Sequence, residues 1–138
     1  MPTPFASSAG GIDMGVADLG RALATVVAAL GPAREQVAAA GVTGMAESGA
    51  PLRAGRPVGP IIAWHDGRGE ETVASLEARF GAALPRWTGR RLRTVSSVAK
   101  LGWLMDHGLP MPDRWLGVPE LALWLLTGAA HQLGHHRP

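Results

Sequence analysis

A chain of 138 residues with 46% hydrophobic side chains has room for one packed domain, and this excludes a disordered polymer as well as two full domains. The absence of cysteine excludes a disulfide framework and any thiolate metal centre. Net charge is only +2, and the basic character comes from twelve arginines with no tyrosine or cysteine to titrate against them, so it carries little weight as a nucleic-acid signal.

Residues 1–10 read as an unstructured lead-in of small and polar side chains, without the basic region and apolar run of a signal peptide. Gly11–Gly15 (GIDMG) suggests a strand meeting a turn. From Ala17 to Leu30, the positions Leu19, Leu23, Val26, Val27 and Leu30 share one helical face, and Asp18 near the start suits the helix dipole. Gly31 ends that helix and Pro32 opens a short helical turn, Ala33–Ala39. Gly41–Met45 reads as a buried strand, with a loop at Ala46–Gly49. Leu52–Pro60 is a turn or hairpin-like excursion, Ile61–Trp64 a second apolar strand, and His65–Gly69 a polar loop.

Val73, Leu76 and Phe80 give Glu70–Phe80 a helical period, with Glu70 and Glu71 in its first turn. Leu84–Arg93 reads as a basic loop. Ser96 or Ser97 can cap a helix running to about His107, with Val98, Leu101, Leu104 and Met105 inward. Pro119 suits the first turn of a last helix, Glu120–Leu126, stopped by Gly128. Helices between short apolar strands suggest an α/β layer. No run of about 18 apolar residues exists, so no membrane span is expected.

In open α/β sheets, ligands bind at the carboxyl ends of strands, which directs attention to the loops after Met45 and Trp64. A carboxylate at Glu47 can accept hydrogen bonds from vicinal hydroxyls; an ordinary exposed loop acid is the alternative. Trp64 can offer its ring to the apolar face of a sugar, and Asp66 and Arg68 can contact hydroxyls or simply pair and fix the loop. Asp13, between Gly11 and Gly15, can hold hydrated Mg²⁺ where the backbone approaches phosphate. His131, His135 and His136 have a spacing able to bind Zn²⁺ or Ni²⁺, but an exposed tail without an acidic partner accounts for them. Arg86, Arg90, Arg91 and Arg93, with Trp87 among them, can grip a phosphate backbone or form a solvated loop. The balance of these features predicts no nucleic-acid and no membrane partner.

Five segments in order, GIDMG, GVTGMAESGAPL, GRPVGPIIAWHDGRGEE, RTVSSVAKLGWLMDHG and LGVPELALWLLTG, resemble the first domain of FGGY-family carbohydrate kinases over about residues 11–128. The resemblance implies an α/β fold of actin-like, ribonuclease-H-like type, here a partial N-terminal domain with a reduced sheet and flanking helices, between the lead-in and a tail at residues 129–138. It implies transfer of the γ-phosphoryl group of ATP to a sugar or polyol hydroxyl, with Mg²⁺ bridging phosphates, in the cytoplasm. By position, Ala46, Glu47, Trp64 and Asp66 correspond to the substrate side, with Glu47 and Trp64 on one wall of a pocket. Asp13 and Gly15 correspond to a remnant of the first phosphate loop.

The sequence departs from the family where Val16–Leu19 leads straight into a helix instead of a Thr/Ser-containing turn and strand hairpin. The expected consequences are a sheet short of two strands with a bare edge, and missing hydroxyls near the phosphates. The position near Val95, where polyol kinases of the family present an aromatic hydroxyl, is apolar. The general-base aspartate and the nucleotide-binding second domain are not among these residues, so the 138 residues are expected to bind neither ATP nor Mg²⁺ and to be inactive alone. A non-enzymatic alternative is an interaction module whose sheet edge and apolar helices pair with a second copy or with a separately encoded remainder of the kinase.

Overall fold

A computed structural model describes residues 5–8 and 10–128. It holds a six-stranded sheet with helices packed around it. The strands are β1 (Ala6–Ser8), β2 (Gly11–Met14), β3 (Gly49–Arg53), β4 (Arg56–Pro57), β5 (Ile61–Ile62) and β6 (Arg114–Gly117). The helices are α1 (Val16–Ala29), α2 (Glu70–Phe80), α3 (Ala83–Thr88), α4 (Ser97–Asp106) and α5 (Val118–Thr127), with a 3₁₀ segment at Gly31–Gln36.

Every strand pairing is antiparallel: β1 with β2, β2 with β5, and β3 with β4, β5 and β6. Leu52 faces Pro57 and Gly49 faces Ile62, so β4 and β5 belong to one stretch running back along the same side of β3. β6 takes the other side, with Gly49 opposite Gly117 and Leu52 opposite Arg114. The chain therefore forms the mixed helix and sheet domain expected, but with an antiparallel sheet. The rule that ligands sit at the carboxyl ends of parallel strands does not apply to it.

The core is made where the strands' inward positions meet α1 and α5: Met14, Leu19, Ala50, Leu52, Ile61, Leu116 and Leu121 pack together, flanked by Phe5, Leu23 and Trp124. Each large side chain of this set contributes about 1.5–3 kcal/mol by leaving water. α1 and α5 pack on each other, as do α2 and α4.

α2, α4 and α5 form where the periodicity puts them, α5 starting at Val118 and stopping at Gly128, but α4 buries Ala99, Lys100 and Leu104, and Val98, expected inward, is 47% exposed. Strands β3 and β6 are not among the expected elements, and four further segments differ from expectation. Residues 6–8 are not structureless: β1 pairs with β2 in register Ala6 to Asp13 and Ser8 to Gly11, and becomes the terminal strand on that side of the sheet. Gly41–Met45 forms no strand, and Met45 is 51% exposed. Within the basic segment, Ala83–Thr88 is helix α3, whose Pro85 falls in the first turn. After α1 the short turn is 3₁₀ and ends at Gln36. Among the described residues no helix is long and apolar enough to cross a membrane. His131, His135 and His136 lie outside the described residues.

Candidate functional site

β3 starts where β5 ends, so the segment before β3 and the segment after β5 meet at one end of the sheet. Ser48 Oγ accepts a hydrogen bond from the Trp64 amide at 2.9 Å and joins the two. This adjacency is the part of the expected pocket that the fold delivers.

The side chains divide differently. Ala46, Glu47 and Ser48 face three separate cavities. Ala46 lines one of about 520 Å³ with Val42, Trp115, Pro119 and Glu120. Glu47 lines one of about 320 Å³ with Thr88, Arg90, Arg91, Ser96 and Ser97. Ser48 lines one of about 260 Å³ with Phe5, Met45, Trp64 and His65. Glu47 and Trp64 thus stand at the same sheet end but do not share a pocket wall. The reason is local: of the residues leading into β3, it is Ser48 that turns toward Trp64.

Glu47 is fixed from behind by the start of α4, where Ser97 N and Ser97 Oγ each donate to Oε2 at 2.9 Å. Arg90 donates to Oε1 from the segment after α3. Ser96 occupies the N-cap position of α4, but its side chain makes no cap bond, and the Ser97 hydroxyl serves Glu47 instead. Burial works against the charge on Glu47, but the bonds from Arg90 and Ser97 outweigh it and hold its carboxyl below the usual carboxylate range. The side chain keeps 23% of its surface open. Trp64 is 42% exposed, with the His65 ring packed edge-on against it at 5.2 Å.

Asp66 has a different place from the one expected. It is 2% exposed, and its carboxylate accepts from Ile12 N at 2.5 Å, Arg68 N at 2.8 Å, and Arg68 Nε and Nη2 at 2.9 Å. With both oxygens taken and no open surface, it is a structural anchor, not a sugar contact. Gly11 is required beside it, because a Cβ there would stand 2.3 Å from Asp66 Oδ2. Desolvation opposes the Asp66 charge, but Arg68 and the two backbone donors prevail and lower its pKa.

Arg68 extends the anchor to β2. Its Nη1 lies 3.0 Å from Asp13 Oδ2, and its guanidinium sits 5.1 Å from the centre of the Trp103 ring. Lys100, fully buried on α4, donates to the Asp66 carbonyl and, at 3.2 Å, to the Arg68 carbonyl. Its Nζ lies 3.8 Å from Asp66 Oδ1. Two acids and two bases thus form a charge-balanced quartet across β2, the loop after β5 and α4. The sequence reading missed Lys100; a lone lysine amid the apolar period of α4 was the available signal.

Asp13 is consequently committed to a guanidinium, and an incoming Mg²⁺ would compete with Arg68 for it. Gly15 forms the N-cap of α1, its carbonyl accepting from Asp18 N at 3.0 Å and Leu19 N at 3.3 Å. Among the described residues no group of three His, Asp or Glu is gathered as a metal site. In the basic cluster, Arg90 is paired with Glu47 and Trp87, 69% exposed, meets Phe80 edge-on at 5.7 Å.

Residues 13–131 match the N-terminal domain of the FGGY family of carbohydrate kinases. A glycerol kinase of Acidovorax ebreus (strain TPSY) is 34% identical over 125 residues, covering 80% of this chain and 25% of that enzyme. A glycerol kinase of Methylorubrum extorquens (strain PA1) is 36% identical over 88 residues, covering 59% of this chain and 17% of that enzyme. The chain thus spans a quarter or less of the length of these curated relatives. No solved structure matches.

Proposed function

The chain belongs to the FGGY family of carbohydrate kinases, and we propose that its described residues are the acceptor-recognising part of an ATP-dependent kinase for a sugar or polyol. The observation that carries this reading is the Glu47 carboxylate, held ionised by Ser97 and Arg90 and still open to a cavity of about 320 Å³. That volume lies within the range of small-ligand sites, and Thr88, Ser96 and Ser97 add hydroxyls to its lining.

In this role Glu47 accepts hydrogen bonds from acceptor hydroxyls and orients them. Its lowered pKa makes it a weak base near neutral pH, so it holds the hydroxyl and does not take the proton. The attacking hydroxyl oxygen forms a bond to the γ-phosphorus of ATP while the bond to the ADP oxygen breaks, and the hydroxyl proton passes to a general base expected outside the described residues. Mg²⁺, when bound, neutralises charge on the phosphates. In this reading the described residues contribute positioning, which with charge stabilisation accounts for most of catalysis in phosphoryl transfer. The 138 residues by themselves are proposed to be inactive and to bind neither ATP nor Mg²⁺.

Two measurements test this. Calorimetric titration of the chain with glycerol and a panel of pentoses and polyols should give saturable binding for at least one, weakened about tenfold or more by Glu47→Gln. Equal heats for the two proteins across the panel would remove the acceptor site. A coupled assay of ADP release should stay at background, and turnover by the purified chain would overthrow the inactivity.

A second reading, an interaction module, is favoured by the end of α1 and the residue that caps it, where Val26, Val27 and Leu30 are 58%, 37% and 44% exposed. Light scattering after size exclusion discriminates, since a clean monomer argues against self-association.

A further inference from the structure

Two separate segments converge on the first turn of α4. Ser97, its first residue, binds the Glu47 carboxylate through both its amide and its hydroxyl. Lys100, three residues on, sends its ammonium to the carbonyls of Asp66 and Arg68, the turn that follows Trp64. In a helix these two positions lie on one face, about 4.5 Å apart along the axis. The same turn touches α4 at a further point: Gly69 lies so close that a Cβ would stand 2.5 Å from the Ala99 carbonyl oxygen. The Ser48–Trp64 hydrogen bond then links the two segments directly and closes a ring of contacts from Glu47 through α4 to Trp64 and back.

An ammonium with no exposed surface is costly, and apolar packing serves stability as well or better in many cores. What a lysine supplies and a leucine cannot is a directed bond to two carbonyls of a turn. We propose that Lys100 is a positioning residue, which with Ser97 makes the first turn of α4 a spacer fixing the Glu47 segment against the Trp64 loop. This rests on the reading of that region as the acceptor side of a kinase, and it identifies what sets the separation of its two halves.

The test uses the whole chain labelled with 5-fluorotryptophan, whose five signals include Trp64. Lys100→Met keeps the stem and removes the directed bonds. The expected result is a displaced Trp64 resonance, unmoved Trp115 and Trp124 resonances, and hydrogen exchange at the Ser97 amide faster by about tenfold. A lysine that merely contributed stability would lower the unfolding midpoint, leave the Trp64 resonance in place and speed exchange at Ser97 no more than at the core amides. A folded variant in which either signal is unchanged overturns the proposal.

Should the methionine variant fail to fold, Ser97→Ala at its half-buried site gives the reciprocal measurement. Coupling predicts exchange at the Arg68 amide faster by about threefold, and an unchanged rate overturns it. None of these readouts requires a sugar. Failure of polyol binding would strike the proposed function and leave the spacer intact, whereas a still Trp64 signal would do the reverse.

Discussion

Replacing Asp66 by asparagine removes one charge from the quartet while changing almost no volume. The carboxylate accepts four hydrogen bonds, from Ile12 N and from Arg68 N, Nε and Nη2. An asparagine amide offers one oxygen, so the donors facing its nitrogen are left without an acceptor. Arg68 would keep Asp13 as its one remaining ion pair, and the buried Lys100 would lose its nearest counter-charge. Breaking a buried pair from one side costs about 3–5 kcal/mol, a large fraction of a domain's total stability.

Urea unfolding near pH 7 should register that loss as a lower midpoint at unchanged slope. The cost should also depend on pH in one direction. The folded-state pKa of Asp66 lies below its unfolded value, so its stabilisation is complete above about pH 4 and is lost as pH falls through the folded-state value. The gap between wild type and Asp66→Asn should therefore close in acid. A gap under about 1 kcal/mol at neutral pH, or one equally wide in acid, would refute the account of Asp66 as the quartet's ionised centre.

Gly69→Ala should lower stability by about 2 kcal/mol or more, measured by thermal melting, because φ is 98° and the new Cβ meets the Ala99 carbonyl. Glu47→Gln should cost about 1–2 kcal/mol in the same assay, since its pairing with Arg90 is partly exposed and one oxygen remains to accept from Ser97, so loss of polyol binding can be read on a folded protein. Leu52→Ala, at a fully buried position between β4 and β6, should cost about 2–5 kcal/mol by urea unfolding.

The helices were legible from their spacing and end signals: Glu70–Phe80 matches α2 end to end, with its half-buried face against α4, and Pro119 sits in the first turn of α5 as its chemistry requires. Strands were harder, because a strand needs a partner and the sequence does not print one. Gly41–Met45 has strand composition and no neighbour, whereas Ala6–Ser8 has weak composition and an open β2 to pair with. The arginines made Leu84–Arg93 read as a loop, although Ala83–Thr88 is helical and carries Pro85 in its first turn, where a proline is tolerated.

At the candidate site, the Glu47 and Trp64 segments were expected together as two strand tips, but they meet because Gly49 pairs with Ile62 in an antiparallel sheet. The direction of each side chain was not legible, since it depends on the register into β3. Asp66 was read as either ligand or anchor, and only its burial beside Gly11 and Arg68 decides between them.

The three consecutive residues that lead into β3 each look out on a different hollow, one toward α5, one toward α4 and one toward Trp64. A chain built this way tolerates a change of side chain one chamber at a time, but a single inserted or deleted residue would hand every chamber its neighbour's group at once. The length of this stretch is thus a stricter requirement than its spelling, and any redesign of acceptor preference here should exchange letters without altering their number.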